Sequence, residues 1–257
     1  MDRLFPNGLV EDGDEDADGK LSTSLENQPW SAVPARKTGY IESIDTDALL
    51  NVAREHGTIL RMERGIGEFV VEGAPLVSVV DPAGLDDETT AELNGAYVIS
   101  RHRTVEQDAA FGIRQIVDMA MKALSPGIND TTTAVMCVDY LAAILVRLAA
   151  RRIATSHRLD QGELRLITRG PSFESLLAEA FDQIRQNAAG NVAIMSRMLG
   201  ALQTIGSLTT NQSRRRAVRE QMQWIADLAE RTIESPYDRA RFESRLASVR
   251  EALEDEN

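Results

Sequence analysis

"ALSPGINDTTTA", Ala123 to Ala134, breaks two apolar helical stretches apart, and its reading decides how everything after residue 103 folds. Pro126 has no backbone donor and stops the helix before it. Gly127 is expected to take a left-handed conformation. Asn129 or Asp130 then caps the next helix, with Thr131, Thr132 and Thr133 in its first turn. So short a connection predicts two antiparallel neighbours.

Upstream of the turn lies "TVEQDAAFGIRQIVDMAMKAL". At about 100° per residue, Ile113, Ile116, Val117, Ala120 and Leu124 share one face. Thr104 with Gln107 three residues later predicts a capping box. Asp108, Gln115, Asp118 and Lys122 form the opposite, polar stripe, and Arg114 can pair with Asp118 at i,i+4. Downstream, Val135 to Val146 is apolar almost all the way round, the pattern of a helix in the middle of a bundle. Asp139 is the exception. If buried, it needs a cation, and Arg103, Arg114 and Arg185 are the candidates.

Further helices follow. "SFESLLAEAFDQIRQNAAGNVAIMSRMLGAL" carries Phe173, Leu176, Leu177, Ala180, Phe181 and Ile184 at helical spacing, with a break expected at Gly190. "SRRRAVREQMQWIADLAERTI" is amphipathic through Val218, Met222, Ile225 and Leu228. Its cluster of Arg214, Arg215, Arg216 and Arg219 stands beside Glu220 and Asp227 and reads as a solvated face. "ESPYDRARFESRLASVREAL" closes the bundle.

Before residue 103 the texture changes to short β-type runs: "GYIESI", "TILRM", "GEFVV", "PLVSVV" and "AYVIS". "DTDALLNVAREHG" interrupts them as a short helix, capped by Asp45 or Thr46, lined by Leu49, Leu50 and Ala53, and stopped at Gly57. "GEFVVEGAPLVSV" is similar to half of the strand–turn pattern of biotinyl and lipoyl carrier domains. Those carriers present a lysine, and none lies between Lys37 and Lys122, which excludes that role. His56 and His102 have no second His or Cys at ligand spacing. The predicted fold class is therefore α+β: a small barrel-sandwich-like β-rich module over 38–103, then an antiparallel α-helical bundle over 104–257. Residues 1–37 read as an acidic, disordered linker. Within it "DEDADGKLSTSLE" imitates a calcium loop, but Leu25 stands where the bidentate carboxylate belongs.

Composition narrows function by exclusion. A net charge of −12 argues against nucleic acid, whose phosphates require a basic surface. The single cysteine, Cys137, excludes an internal disulfide and a cysteine-based zinc site, and its apolar setting makes it a core residue. Neither a signal peptide nor a clean span of about 20 apolar residues is evident, so the chain as given reads as soluble. No metal, cofactor or catalytic residue is expected.

"RTVEQDAAFGIRQIVDMAMKALSPGINDTTTA" (Arg103 to Ala134), with "GYIESID" and "GEFVVEGAPL" upstream and "AFDQIRQNA" downstream, resembles the bacterial predicted-membrane-protein family known as domain of unknown function 2254. Family members place transmembrane helices before this region and a proline after "SPGIND", where Thr131 stands here. The resemblance implies a soluble domain at the cytoplasmic face of the cell membrane, with a membrane-embedded segment of the same protein, or a partner membrane protein, as its counterpart. A homo-oligomer is a further expectation. The reading that follows is a non-catalytic regulatory or assembly domain. Its candidate ligand site gathers Arg103, Gln107, Asp108, Arg114, Gln115, Asp118, Lys122, Ser125, Asn129, Asp130 and Thr132. The alternative is a hydrolase or transferase using Asp108, Asp118, Asp130 and Asp139 with arginine partners, although no GxSxG, HExxH, P-loop or GxGxxG pattern is present.

Overall fold

The computed structural model describes residues 28–80, 86–151 and 157–254. The acidic run from Asp14 to Glu26 lies outside the described residues. Two sheets come first. The larger has the order β1 (Trp30–Pro34), β5 (Pro75–Val80), β3 (Leu60–Met62), β8 (Glu163–Ile167) and β7 (His157–Asp160). The smaller has the order β4 (Phe69–Val70), β2 (Gly39–Ile44) and β6 (Tyr97–Ser100). Five strands and three strands do not close into a barrel, so the module is two open sheets over one core.

β5 shows why. Leu76, Val77, Ser78 and Val79 are buried in succession, as in a strand covered on both faces. β1 pairs with it antiparallel, Trp30 opposite Val80 and Val33 opposite Val77. That strand falls inside the stretch read as a disordered linker. Its buried Val33 and the neighbouring Ala35 are the only anchors that alternation supplies there, too few to notice. Helix α1 (Thr46–Glu55) is as expected: the Asp45 carboxylate accepts from the Asp47 and Ala48 amides, and Gly57 takes φ +61° just beyond it. Helix α2 (Asp87–Gly95) was not legible, because only Thr89 and Leu93 mark its buried side.

The bundle comprises α3 (Ala109–Ala123), α4 (Thr131–Ala149), α5 (Phe173–Asn187), α6 (Val192–Ser207), α7 (Gln212–Thr232) and α8 (Pro236–Glu254). Gly190, at φ +72°, separates α5 from α6 as expected. Two features depart from the sequence reading. First, α4 is not enclosed. It packs between α3 and α6, but Met136 and Tyr140 are 51% and 63% exposed. By length and composition α4 could cross a membrane, and 39% of its most apolar stretch is buried here. It starts at Thr131, with the three threonines in its first turn, as expected. The helix held by neighbours on several sides is α6, packed by α4, α7 and α8 through Met195, Met198, Leu199, Leu202 and Ile205.

Second, the hairpin β7–β8 lies between α4 and α5, within the stretch read as purely helical. Its turn is Gln161 (φ +51°) and Gly162 (φ +84°), two left-handed residues that match the twist of a tight hairpin. β8 runs parallel to β3, with Leu60 opposite Leu166, and Leu166 is fully buried in the β module's core. The two halves are thus interleaved in sequence.

Candidate functional site

The family-like string opens at the joint between the halves. Arg103 reaches Asp108 through Nε at 2.9 Å and Nη2 at 2.7 Å, and its guanidinium lies 4.8 Å from the Phe111 ring centroid. Asp108 is 5% exposed and is itself the N-cap of α3, its Oδ1 accepting from the Phe111 amide at 2.8 Å. Helix α3 therefore starts at Ala109. The Thr104–Gln107 capping box does not form, since an aspartate five residues inside the string caps at least as well and gains an arginine. Gln107 turns to the β module instead, its Oε1 accepting from the Ile44 amide at 3.4 Å. The Thr104 hydroxyl is buried with no hydrogen-bond partner.

Opposite this pair stands Gly67, at φ +81°, its amide donating to the Ile41 carbonyl at 2.8 Å. A Cβ there would fall 2.3 Å from Asp108 Oδ2 and 2.7 Å from Arg103 Nη2. The same loop is held from its other side. A Cβ on Gly65 would lie 2.8 Å from the Arg169 carbonyl, and Arg169 Nε bonds Glu68 Oε1 at 2.6 Å. The loop between β3 and β4 is thus gripped by the entrance to α3 and by the exit from β8. In the sequence Gly67 is only the first residue of the β-type run "GEFVV"; Gly65, Glu68 and Arg169 carried no signal.

The remaining candidate residues lie elsewhere. Arg114 bridges Asp118 at 3.0 Å, as i,i+4 spacing predicts, and Glu179 of α5 at 3.3 Å. Gln115 and Lys122 are exposed. Ser125 donates its hydroxyl to the Lys122 carbonyl at 2.7 Å. In the turn the left-handed residue is Asn129 (φ +47°), not Gly127. Asparagine tolerates that conformation, so glycine was not needed for it. Asp130 caps α4 through the Thr133 amide at 3.0 Å. The Thr133 hydroxyl, then its amide, hold the Asp130 carboxyl below the usual aspartate range. Thr132 is exposed, while Thr131 accepts from Asn191 at 3.1 Å. The 15 residues of α3 put about 22 Å between the joint and the turn. The eleven candidates are therefore not one pocket.

Asp139 corrects another expectation. Its side chain is 38% exposed, and its partner is Arg197 of α6 rather than Arg103, Arg114 or Arg185. Those three serve Asp108, Asp118 with Glu179, and Asp182. Asp139→Ala should accordingly cost less than about 1 kcal/mol, the range of exposed ion pairs. A thermal melt showing a loss of several degrees would contradict this placement. The arginine cluster divides as well. Arg214 is 7% exposed and points inward, whereas Arg216 and Arg219 line a shallow open groove with Gln212, Glu220 and Gln223.

One polar spot sits within the β module. Burial pushes the Glu63 carboxyl up, but hydrogen bonds from Ser78 and Arg61 and the charges of Arg61 and Arg64 outweigh it and hold it low. Burial, with Glu63 adding to it, raises the Tyr97 hydroxyl well above the usual phenol range, and that hydroxyl has no hydrogen-bond partner. Among the described residues no three His, Cys, Asp or Glu side chains converge as a metal site.

The family model described as "Predicted membrane protein (DUF2254)" matches residues 6–204. The chain belongs to this family. Uncharacterized proteins from Mycobacterium bovis and Mycobacterium tuberculosis are each 29% identical to it over 261 residues, covering 99% of this chain and 49% of the relative. The chain spans about half the length of the curated relatives it matches. No solved structure matches it. In this DUF2254 member the matched region takes in the β module, the joint and the bundle as far as α6.

Proposed function

We propose that this chain is a non-catalytic regulatory or assembly domain of a membrane protein, working at the cytoplasmic face. One observation carries the reading: the half-buried Arg103 paired with the buried Asp108 and seated against Gly67. The polar residues that open the family-like string are engaged in fastening the β module to α3. A displacement of the β3–β4 loop would be passed to α3, and through the turn to α4. That suits a part that relays or holds position. The carboxylates of the hydrolase alternative do not converge: Asp108, Asp118 and Asp139 each hold a different arginine, and Asp130 caps its own helix. The reading does not lean on the turn as a ligand site, because the N-terminus of α4 already has a carboxylate on it.

Two measurements test it. In its native host the tagged chain should sediment with membranes. The purified chain, offered generic phosphoesters and carboxylic esters with divalent metals, should give no turnover above blank. A soluble distribution, or turnover that Asp118→Asn removes, would overturn the proposal.

A further inference from the structure

Four of the twelve exposed large apolar side chains among the described residues fall within residues 119–140: Met119, Ile128, Met136 and Tyr140, at 51%, 62%, 51% and 63% exposure. They share a side of the α3–α4 hairpin. On α3, Arg114 and Asp118 turn toward α5 through Glu179, and Met119 points about 100° further round, on the opposite flank. On α4, Asp139 turns toward α6 through Arg197, and Tyr140 points about 100° away from it, one turn beyond Met136. In an antiparallel hairpin Met119 and Met136 stand at similar distances from the turn. Ile128 sits on the turn itself. The other exposed apolar cluster, on the three-stranded sheet, is partly self-covered, with the Tyr40 and Phe69 rings edge to face at 5.0 Å.

We infer that this outward face of the α3–α4 hairpin docks an apolar helix of the membrane-embedded part of the protein. The inference rests on the proposed membrane role and adds the surface and its occupant. Two facts favour that occupant. The family is described as a membrane protein, yet among the described residues only α4 is long and apolar enough to cross a membrane, and α4 is taken up in the bundle. The relatives carry a second half about as long as this chain. The patch also has a polar border of Asp118 and Lys122. A protein helix with polar ends can satisfy such a rim, whereas lipid tails cannot. Methionine and tyrosine suit that task, methionine by adapting its shape and tyrosine by offering a large face with a polar tip.

The test is a photoreactive benzophenone amino acid placed at Tyr140 or Met119, and as a control at Glu163, in the chain expressed from its own locus. Membranes are isolated, irradiated and analysed by mass spectrometry. Adducts from positions 140 and 119 to a membrane-spanning segment, with none from 163, are expected. Met136→Glu should abolish them while leaving the melting temperature of the purified chain unchanged. Adducts only to a second copy of this chain, to lipid or to a soluble protein overturn the inference, as does their absence from a membrane-bound chain. A chain that never reaches the membrane fraction overturns the functional reading beneath it.

Discussion

Gly67→Ala should be among the most damaging single changes in this protein. The added methyl would stand 2.3 Å from Asp108 Oδ2, and the backbone there is at φ +81°, which disfavours any L side chain. To make room, the buried Asp108 carboxylate must leave Arg103 or the Phe111 amide, which costs about 1–3 kcal/mol for the lost partner, and the left-handed backbone adds about 1–2 kcal/mol. For a domain of this size that corresponds to a melting temperature lower by roughly 4–20 °C. Adding Asp108→Ser shortens the obstructing side chain while keeping a capping oxygen, so the double variant should lose less than the two single losses added together. Thermal melts of the three variants check this. A Gly67→Ala protein that melts with the parent would mean the joint is not close-packed.

The second large effect is expected at Arg214. Its Nη1 donates to the carbonyls of Ala149 at 2.9 Å and Arg151 at 3.0 Å, at the C-terminal end of α4. Its guanidinium lies 5.4 Å from the Phe173 ring centroid at the start of α5. One side chain of α7 thus closes α4 and touches α5. Arg214→Met keeps the bulk but removes the charged donor from those carbonyls, at a cost of roughly 2–6 kcal/mol. Arg214→Lys should recover only part, because an ammonium can donate to the same carbonyls but has no guanidinium plane to lay against the Phe173 ring. Denaturant unfolding of both variants measures the difference. Equal stability of Arg214→Lys and the parent would show that charge alone suffices.

What the sequence made legible followed from local rules. The caps at Asp45 and Asp130, the core face of α3 with Ile113, Val117 and Ala120, and the break at Gly190 each rest on a few neighbouring residues. What stayed hidden depends on partners distant in sequence. Asp108 looked like one member of a polar stripe, since nothing near it shows that Gly67, 41 residues earlier, leaves space for it. Arg214 looked solvated because three of its acceptors belong to residues 148–151. β7 and β8 lacked the Asn-Gly signal of a hairpin, and Gln161-Gly162 does the same work with a weaker residue. The candidate site fared likewise. Its residues were correctly seen as polar and grouped along α3, but periodicity cannot say which of them a neighbouring module will claim.

The parallel pairing of β3 with β8 has a bearing on how the protein is made. Leu60 leaves the ribosome 106 residues before its partner Leu166. At ordinary elongation rates of about 5–20 residues per second, that is a delay of roughly 5–20 s. Throughout it the larger sheet ends at β3, with that strand's outer hydrogen-bonding edge open. An open edge of this kind is a template for wrong pairing. The N-terminal half is therefore not an independent unit waiting for a bundle to be appended. It depends on the bundle's first hairpin of helices being threaded past it before its own last two strands arrive.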